Sequence, residues 1–151
     1  MARDIAEYCG FSEGMTYSFE SPKVFDKLLL PEDAKERQAI EISNPLGEDF
    51  SIMRTVSLNG MLTSLATNLA HRNKNVRLYE FGNIYIPKAL PLTELPDERM
   101  QMTLGMYGEC DFFTLKGVVE DILDSLGLGG TSEYTPTTKH PVSYTHLRAH
   151  E

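Results

Sequence analysis

The chain has 151 residues, of which 41% are hydrophobic and 24% charged, values typical of one folded domain with a substantial core and not of a disordered segment. Its 14 Lys and Arg residues stand against 22 Asp and Glu residues, which gives a net charge of −8. A chain this acidic lacks the broad basic surface of a nucleic-acid-binding protein. Any contact with RNA therefore has to be local or made by a partner.

The cysteine content and the hydropathy favour a soluble cytoplasmic protein with no membrane partner. Cys9 and Cys110 lie far apart without a CxxC spacing, which favours two free buried thiols over a disulfide. No stretch approaches the roughly 18–20 apolar residues that span a bilayer. The N-terminus has acidic residues where a signal peptide has an apolar run.

The first twenty residues predict a helix and a strand. The stretch ARDIAEYCGF is expected to form a helix that stops at Gly10. Because this helix begins so close to the first residue, we expect a fragment whose partner elements lie upstream. Met15, Tyr17 and Phe19 then alternate with polar residues, as in a strand.

A second helix is predicted over 21–30, with Ser21 as its N-cap, Pro22 at its first position and Pro31 as the residue that ends it. The segment QAIEIS at 38–43 is predicted to be a short strand, followed by a turn.

The most regular element is a predicted amphipathic helix over 57–71. Its apolar residues follow the i, i+3, i+4, i+7 spacing and are Leu58, Met61, Leu62, Leu65, Ala66, Leu69 and Ala70.

A central strand is predicted over 76–86, because apolar side chains project from both of its faces. One face carries Val76, Leu78, Ile84 and Ile86, and the other carries Tyr79, Phe81 and Tyr85.

A proline-rich connector, a strand over 100–108 and a helix that Thr114 caps and Gly127 closes complete the pattern. The whole predicts an α+β fold with a largely antiparallel sheet flanked by helices.

Several candidate sites have simpler structural interpretations. The glycines of SLGLGG at 125–130 follow a helix, whereas a phosphate loop precedes one, so they are predicted to form a C-cap. Glu120, Asp121 and Asp124 are predicted to lie on the solvated face of the last helix. Arg54 could bind an anion, but a structural pairing with Glu48, Asp49 or Glu80 is favoured.

The histidines do not indicate catalysis. His146 and His150 have the i, i+4 spacing of a zinc-binding helix, but no HExxH glutamate and no third ligand accompany them. His71 and His140 have no partner in a nucleophile motif. Arg77 and Glu80 project to opposite faces of their strand and cannot form one site by themselves.

Four collinear segments resemble the C-terminal core of the bacterial phenylalanyl-tRNA synthetase beta subunit. They are YCGFSEGMTYSF, NPLGEDFSIMRTVSLNGMLTSLATNL, VRLYEFGNIYIP and CDFFTLKGVVEDIL. The resemblance implies a core like that of class II aminoacyl-tRNA synthetases, truncated here, with an antiparallel sheet flanked by helices. It assigns residues 1–141 to this incomplete core domain of a several-fold longer chain.

The resemblance also implies a role. In this family the alpha subunit activates phenylalanine with ATP and loads the tRNA, while the beta subunit's copy of the fold is degenerate and packs against alpha in an (αβ)2 heterotetramer. ATP and magnesium are implied for the whole enzyme only, and tRNA contacts mainly for other domains or subunits. Asn83, Ile86 and Pro87 stand where a class II motif-2 strand would carry arginines, so no catalytic, cofactor-binding or metal-binding residue is expected here.

Two further expectations concern the tail and the interface. The last segment, VSYTHLRAHE at 142–151, resembles translated adapter sequence and is expected to be non-native. The helix face that carries Thr63, Thr67 and Asn68 is a candidate contact for the alpha subunit.

Two alternative functions remain open. A stand-alone adenylate-forming enzyme on the same fold would need phosphate-binding arginines that converge on one cleft, with Arg54, Arg72, Arg77 and Arg99 as the candidates. A non-enzymatic interaction module would need none.

Overall fold

The computed structural model describes residues 1–134 of the chain. Short 3-10 turns lie at Lys35–Arg37 and Glu48–Phe50. The helices and strands, in chain order, are α1 (Ala2–Tyr8), β1 (Ser12–Glu13), β2 (Phe19–Glu20), α2 (Val24–Lys27), β3 (Ile52–Met53), α3 (Leu58–Ala70), β4 (Val76–Ile86), β5 (Asp97–Tyr107) and α4 (Phe112–Ser125).

The principal sheet has the strand order β1-β4-β5. Strands β4 and β5 form an antiparallel ladder in which Val76 lies opposite Tyr107 and Ile86 lies opposite Asp97. Strand β1 pairs with β4 in parallel, with Ser12 opposite Leu78. A separate antiparallel pair joins β2 and β3. The α+β class is therefore confirmed, with a mixed principal sheet.

Helices cover the principal sheet on both faces, as predicted for β4. On one face Tyr79 packs in a buried cluster with Ala6 of α1, Phe11 just before β1, and Val118 and Ile122 of α4. On the other face α3 lies so close that a Cβ on Gly105 would meet Met61 at 2.7 Å and Leu65 at 2.8 Å. The bounds predicted for α3 and β4 are confirmed to within one residue.

The region before α3 differs most from the prediction. The second helix spans only Val24–Lys27, because Leu29 adopts a φ of 53° and turns the chain. Ser21 is not its N-cap, although its hydroxyl accepts a hydrogen bond from the Lys23 amide at 3.3 Å. The strand predicted at 38–43 is wrong, since only an isolated bridge between Glu41 and Ile52 forms there.

The predicted alternation over residues 15–20 is inverted in the structure. Met15, Tyr17 and Phe19 are exposed, whereas Glu20 is buried. The reason lies in the polar groups of α3 and β4 that this segment contacts, described below. Only Phe19–Glu20 forms a strand here.

The last helix begins earlier than predicted. Asp111, not Thr114, is its N-cap, and the two residues form a reciprocal capping box. Gly127 follows the helix with a φ of 77°, as a closing glycine does. Across residues 1–134 none of the helices is long and apolar enough to cross a membrane.

Candidate functional site

Arg54, in the loop between β3 and α3, is the centre of a buried polar network. Its guanidinium lies 3.1 Å from the Glu80 carboxylate. It also donates to the Asn83 carbonyl at 2.8 Å and to the Thr16 hydroxyl at 3.0 Å. The predicted structural pairing of Arg54 is thus confirmed with Glu80, while Glu48 pairs with Lys23 instead.

This network joins three separate parts of the chain. Glu80 accepts hydrogen bonds from the Thr16 amide at 3.1 Å and from its hydroxyl at 2.8 Å. The Arg54 backbone accepts from the Tyr85 amide and donates to the Ser18 carbonyl. Since Glu80 neutralises the guanidinium and its Nε and Nη1 groups donate to Asn83, Thr16 and Glu80, the geometry holds the loop at 14–18 and β3 against β4.

Glu20 is a second buried carboxylate next to this network. One of its oxygens accepts from Asn59 at 3.0 Å, and within residues 1–134 the other, also buried, has no hydrogen-bond donor. Burial raises the pKa of the Glu20 carboxyl and the charge of Glu80 adds to this, while Asn59 and Arg54 oppose it. The sequence did not predict this buried carboxylate, because the alternation expected for a strand places Glu20 among the polar residues that face solvent.

The four candidate arginines contact different partners. Arg77 donates to the Cys9 carbonyl at 2.9 Å, on the face of β4 opposite to Glu80. Arg99 pairs with Asp97 and lies opposite Ile84, seven residues along the strand from Arg77, or about 23 Å at the rise of a β-strand. Arg72 follows the end of α3. The structure does not bring these arginines into one site.

The end of β4 carries no charge at the three positions where a motif-2 strand would carry arginines. Asn83 gives only its backbone carbonyl to Arg54. Ile86 is the last residue of the strand, opposite Asp97, and Pro87 follows it. No cationic side chain therefore projects from Asn83, Ile86 or Pro87.

The remaining predicted residues are dispersed. Asp121 and Asp124 are exposed on α4, and Glu120 pairs with Lys116. Cys9 and Cys110 are free and only half-buried. His71 caps the end of α3, with a ring nitrogen 2.7 Å from the Thr67 carbonyl.

Two further expectations concern metal binding and the C-terminal tail. Within residues 1–134 no three His, Cys, Asp or Glu side chains come together as a metal site would require. His140, His146 and His150, and the expected non-native segment 142–151, lie outside the described residues.

A polar cleft that the sequence reasoning missed lies between the end of α3, the start of β4 and the segment before β1. Its volume is about 400 Å³, and its lining residues include Ser12, Asn68, Asn73, Lys74, Asn75 and Arg77. The signal in the sequence is the segment HRNKNVR at 71–77, in which three Lys and Arg residues occur without an acidic residue.

The chain is similar to curated phenylalanine–tRNA ligase beta subunits. It is 48% identical to that of Clostridium acetobutylicum over 138 residues, 42% identical to that of Clostridium tetani over 132 residues and 38% identical to that of Geobacter metallireducens over 132 residues. The alignments cover 91%, 87% and 80% of this chain but only 17%, 16% and 16% of those proteins. The chain therefore spans about a sixth of the length of these relatives.

The fold is shared with solved structures of pyrrolysyl-tRNA synthetase from Desulfitobacterium hafniense. Two of them superpose with TM-scores of 0.65 and 0.68 at 14% and 15% identity. They cover 89% and 91% of this chain and 46% and 50% of their own chains. This likeness is compatible with the expected class II synthetase-like core.

The family model described as the phenylalanyl tRNA synthetase beta chain CLM domain matches residues 1–149. With nearly its whole length matched, the chain belongs to the family of phenylalanyl-tRNA synthetase beta chain CLM domains.

Proposed function

We propose that the chain is part of the beta subunit of a phenylalanine–tRNA ligase, in which this domain is a non-catalytic scaffold that packs against the alpha subunit in an (αβ)2 heterotetramer. The observation that carries this proposal is the end of β4. There Ile86 and Pro87 are apolar, whereas a catalytic class II strand would carry arginines at these positions. Attachment of an amino acid to tRNA through ATP requires cations at the phosphates, and neither residue supplies one.

The state of Arg54 supports the same proposal. Its side chain is 3% exposed and paired with Glu80, so its charge stabilises the fold and is not offered to a ligand. Arg77 and Arg99 lie on β4 and β5 about 23 Å apart along the strands, too far to clamp one triphosphate. These positions disfavour the stand-alone adenylate-forming enzyme.

ATP and magnesium are assigned to the whole cytoplasmic ligase and not to this domain. Among residues 1–134 no cluster of carboxylates is suited to a magnesium ion, and the end of β4 carries no arginine pair.

The exposed apolar side chains support a role in assembly. Tyr17 is 75% exposed, Leu69 61% and Phe113 73%. Apolar side chains that are exposed on the chain by itself are available for contact with another protein surface. Leu69 lies on α3 next to the face that carries Thr63, Thr67 and Asn68, which stays our candidate contact for the alpha subunit.

The test uses the full-length beta subunit that contains this domain, produced with and without its alpha subunit. We expect the two subunits to purify together, phenylalanine-dependent ATP–pyrophosphate exchange to require alpha, and the beta subunit alone to bind no ATP in calorimetry. Ile86→Ala in beta should leave the kcat of the exchange unchanged.

Two results would contradict the proposal. Exchange activity of the beta subunit alone would make this fold catalytic, and full-length subunits that purify separately would remove the scaffold role.

A further inference from the structure

The polar cleft at the end of α3 is lined by cations, although the chain as a whole has a net charge of −8. Lys74 and Arg77 line it, and Arg72 belongs to the same loop. In the ion pairs formed among residues 1–134, none of these three cations takes part. An unneutralised cluster of cations around a concave surface attracts anions.

Two carboxylates close in sequence to the cleft are engaged elsewhere. Glu13, next to the lining residue Ser12, pairs with Arg3 at 2.8 Å. Glu7 accepts a hydrogen bond from the hydroxyl of Tyr79 at 2.8 Å. Neither acid neutralises the cations of the cleft.

Hydrogen bonds fix the loop between α3 and β4 that carries Arg72 and Lys74. The side-chain NH2 group of Asn73 donates to the side-chain oxygen of Asn68 at 2.8 Å, and the Tyr107 hydroxyl donates to the backbone carbonyl of Asn73 at 2.9 Å. Asn75 accepts through its side-chain oxygen from the Glu109 amide at 2.7 Å, so its NH2 group keeps its donors for another acceptor. The lining is therefore already ordered before a ligand binds, which lowers the entropic cost of binding.

Arg77 is held in place without losing its charge. One terminal nitrogen donates to the Cys9 carbonyl at 2.9 Å, and within residues 1–134 the guanidinium makes no other hydrogen bond. The remaining N–H groups suit the oxygens of a phosphate, which a planar guanidinium binds through a fork of donors.

Arg72 occupies a backbone position that favours glycine. Its φ is 60°, directly after the cap residue of α3, where a side chain is strained and glycine is the usual residue. Strain that persists in a fold is a pointer to function. Here the strained residue adds a third cation to the loop.

We propose that this cleft binds a phosphodiester group of RNA. Two lining cations, the free Asn75 donors and the Ser12 hydroxyl match the acceptor oxygens and the charge of a phosphate, and they contact the backbone without reading bases. The volume of about 400 Å³ is within the range of about 300–1,000 Å³ found for ligand sites. The phosphate follows from the lining, whereas RNA as its source rests on the proposed function.

The test measures tRNA binding by the complex of full-length beta and alpha subunits at two salt concentrations. The variants are Lys74→Gln, which removes a lining cation, and Arg72→Gly, which removes a cation while relieving the strained φ. The matched control is Lys27→Gln with Lys35→Gln, which removes exposed cations elsewhere. We expect each cleft variant to raise the Kd for tRNA roughly 3- to 10-fold and to lower the slope of log K against log salt by about one.

Arg72→Gly separates binding from stability. Its Tm should equal or exceed that of the native protein, because glycine adopts a φ of 60° freely, while its affinity for tRNA falls. A merely structural loop would give the opposite combination, a changed Tm with an unchanged Kd.

Three results would overturn the proposal. The first is an unchanged Kd and salt slope in an intact, active complex. The second is binding of inorganic phosphate, measured by calorimetry, that the cleft variants weaken while the affinity for tRNA stays unchanged, which would assign the cleft to free phosphate. The third is release of the alpha subunit by the cleft variants, which would make the cleft a protein interface. Failure of the proposed function would instead appear in the native proteins, as a lack of complex or of exchange activity.

Discussion

Arg54 and Glu80 form an ion pair of 3.1 Å in which the two side chains are only 3% and 2% exposed. They come from a loop and from a central strand 26 residues apart. Removing one partner of such a pair leaves a buried charge without compensation. The pair therefore fixes how the segments before α3 meet the sheet.

Glu80→Gln should destabilise the chain strongly. The substitution keeps the size and an acceptor oxygen for Thr16, but it leaves the guanidinium of Arg54 charged and unpaired. We expect the free energy of unfolding to fall by about 3–5 kcal/mol, measured by urea denaturation followed by circular dichroism.

A double-mutant cycle distinguishes the ion pair from general damage. Arg54→Met alone leaves Glu80 buried without its guanidinium, while Arg54→Met combined with Glu80→Gln removes both charges of the pair. The double variant should therefore lose less stability than the sum of the single variants. Additive losses would show that the pair contributes nothing beyond its separate contacts.

Gly82→Ala should disrupt the same ion pair, because the added methyl group would clash with the guanidinium of Arg54. A Cβ at Gly82 would lie 2.0 Å from Nη2 of Arg54, and the guanidinium cannot move away freely because its Nε and Nη1 donate to Asn83, Thr16 and Glu80. We expect a loss of about 1–3 kcal/mol, as in other overpacked interiors. Gly117→Ala is the matched control, because that helical glycine has open space around its Cβ position and should gain about 0.5–1 kcal/mol. Equal effects of the two substitutions in urea denaturation would contradict the account.

The sequence predicts best the elements whose periodicity extends over many residues. The bounds of α3 and β4 follow from 13 and 11 residues of regular pattern, and both faces of β4 are covered as the pattern requires. The candidate pairing of Arg54 with Glu80 could also be predicted, because a charge between apolar neighbours needs a partner.

The short segments could not be predicted, because distant contacts decide their orientation. Thr16 turns inward since it bonds Glu80, 64 residues away, and Glu20 turns inward toward Asn59. These bonds reverse the alternation that local propensity favours. The polar cleft escaped prediction for the same reason, since its lining comes from three separate parts of the chain.

Glu20 should make the stability depend on pH. Its folded pKa is raised above the ordinary value of 4.5, first by burial, so the folded chain binds more protons than the unfolded chain. The associated stability is fully present below pH 4.5 and is lost as the pH rises through the folded pKa. Glu20→Gln should therefore gain stability relative to the native chain across that range, measured by urea denaturation from pH 4 to 8.

Asn59→Ala is the companion variant for Glu20. Asn59 donates to the carboxyl and lowers its pKa, so without it the folded pKa rises further and the loss of stability extends to higher pH. A difference between the native chain and Glu20→Gln that does not change with pH would contradict the assignment.

Asp111 should stabilise α4 through its cap, in a pH-dependent way. Its carboxylate accepts from the Thr114 amide at 2.7 Å and from its hydroxyl at 2.8 Å, and these bonds, the hydroxyl's first, lower the pKa of Asp111. Asp111→Ala should lower the Tm at pH 7, because the first amides of the helix lose their acceptor. Since the folded pKa is lowered, this advantage of aspartate is present above its ordinary pKa of 3.8 and is lost as the pH falls through the folded value.

Asp111→Asn separates the hydrogen bond from the charge in the same thermal melts. Asparagine caps a helix well but carries no charge for the positive end of the helix dipole, so its Tm at pH 7 should lie between those of the native chain and Asp111→Ala. In acid the native carboxyl gains a proton and loses its charge, whereas asparagine does not titrate. The Tm of the native chain should therefore fall toward that of Asp111→Asn as the pH drops, and an equal Tm for all three chains at pH 7 would show that the cap contributes nothing to the fold.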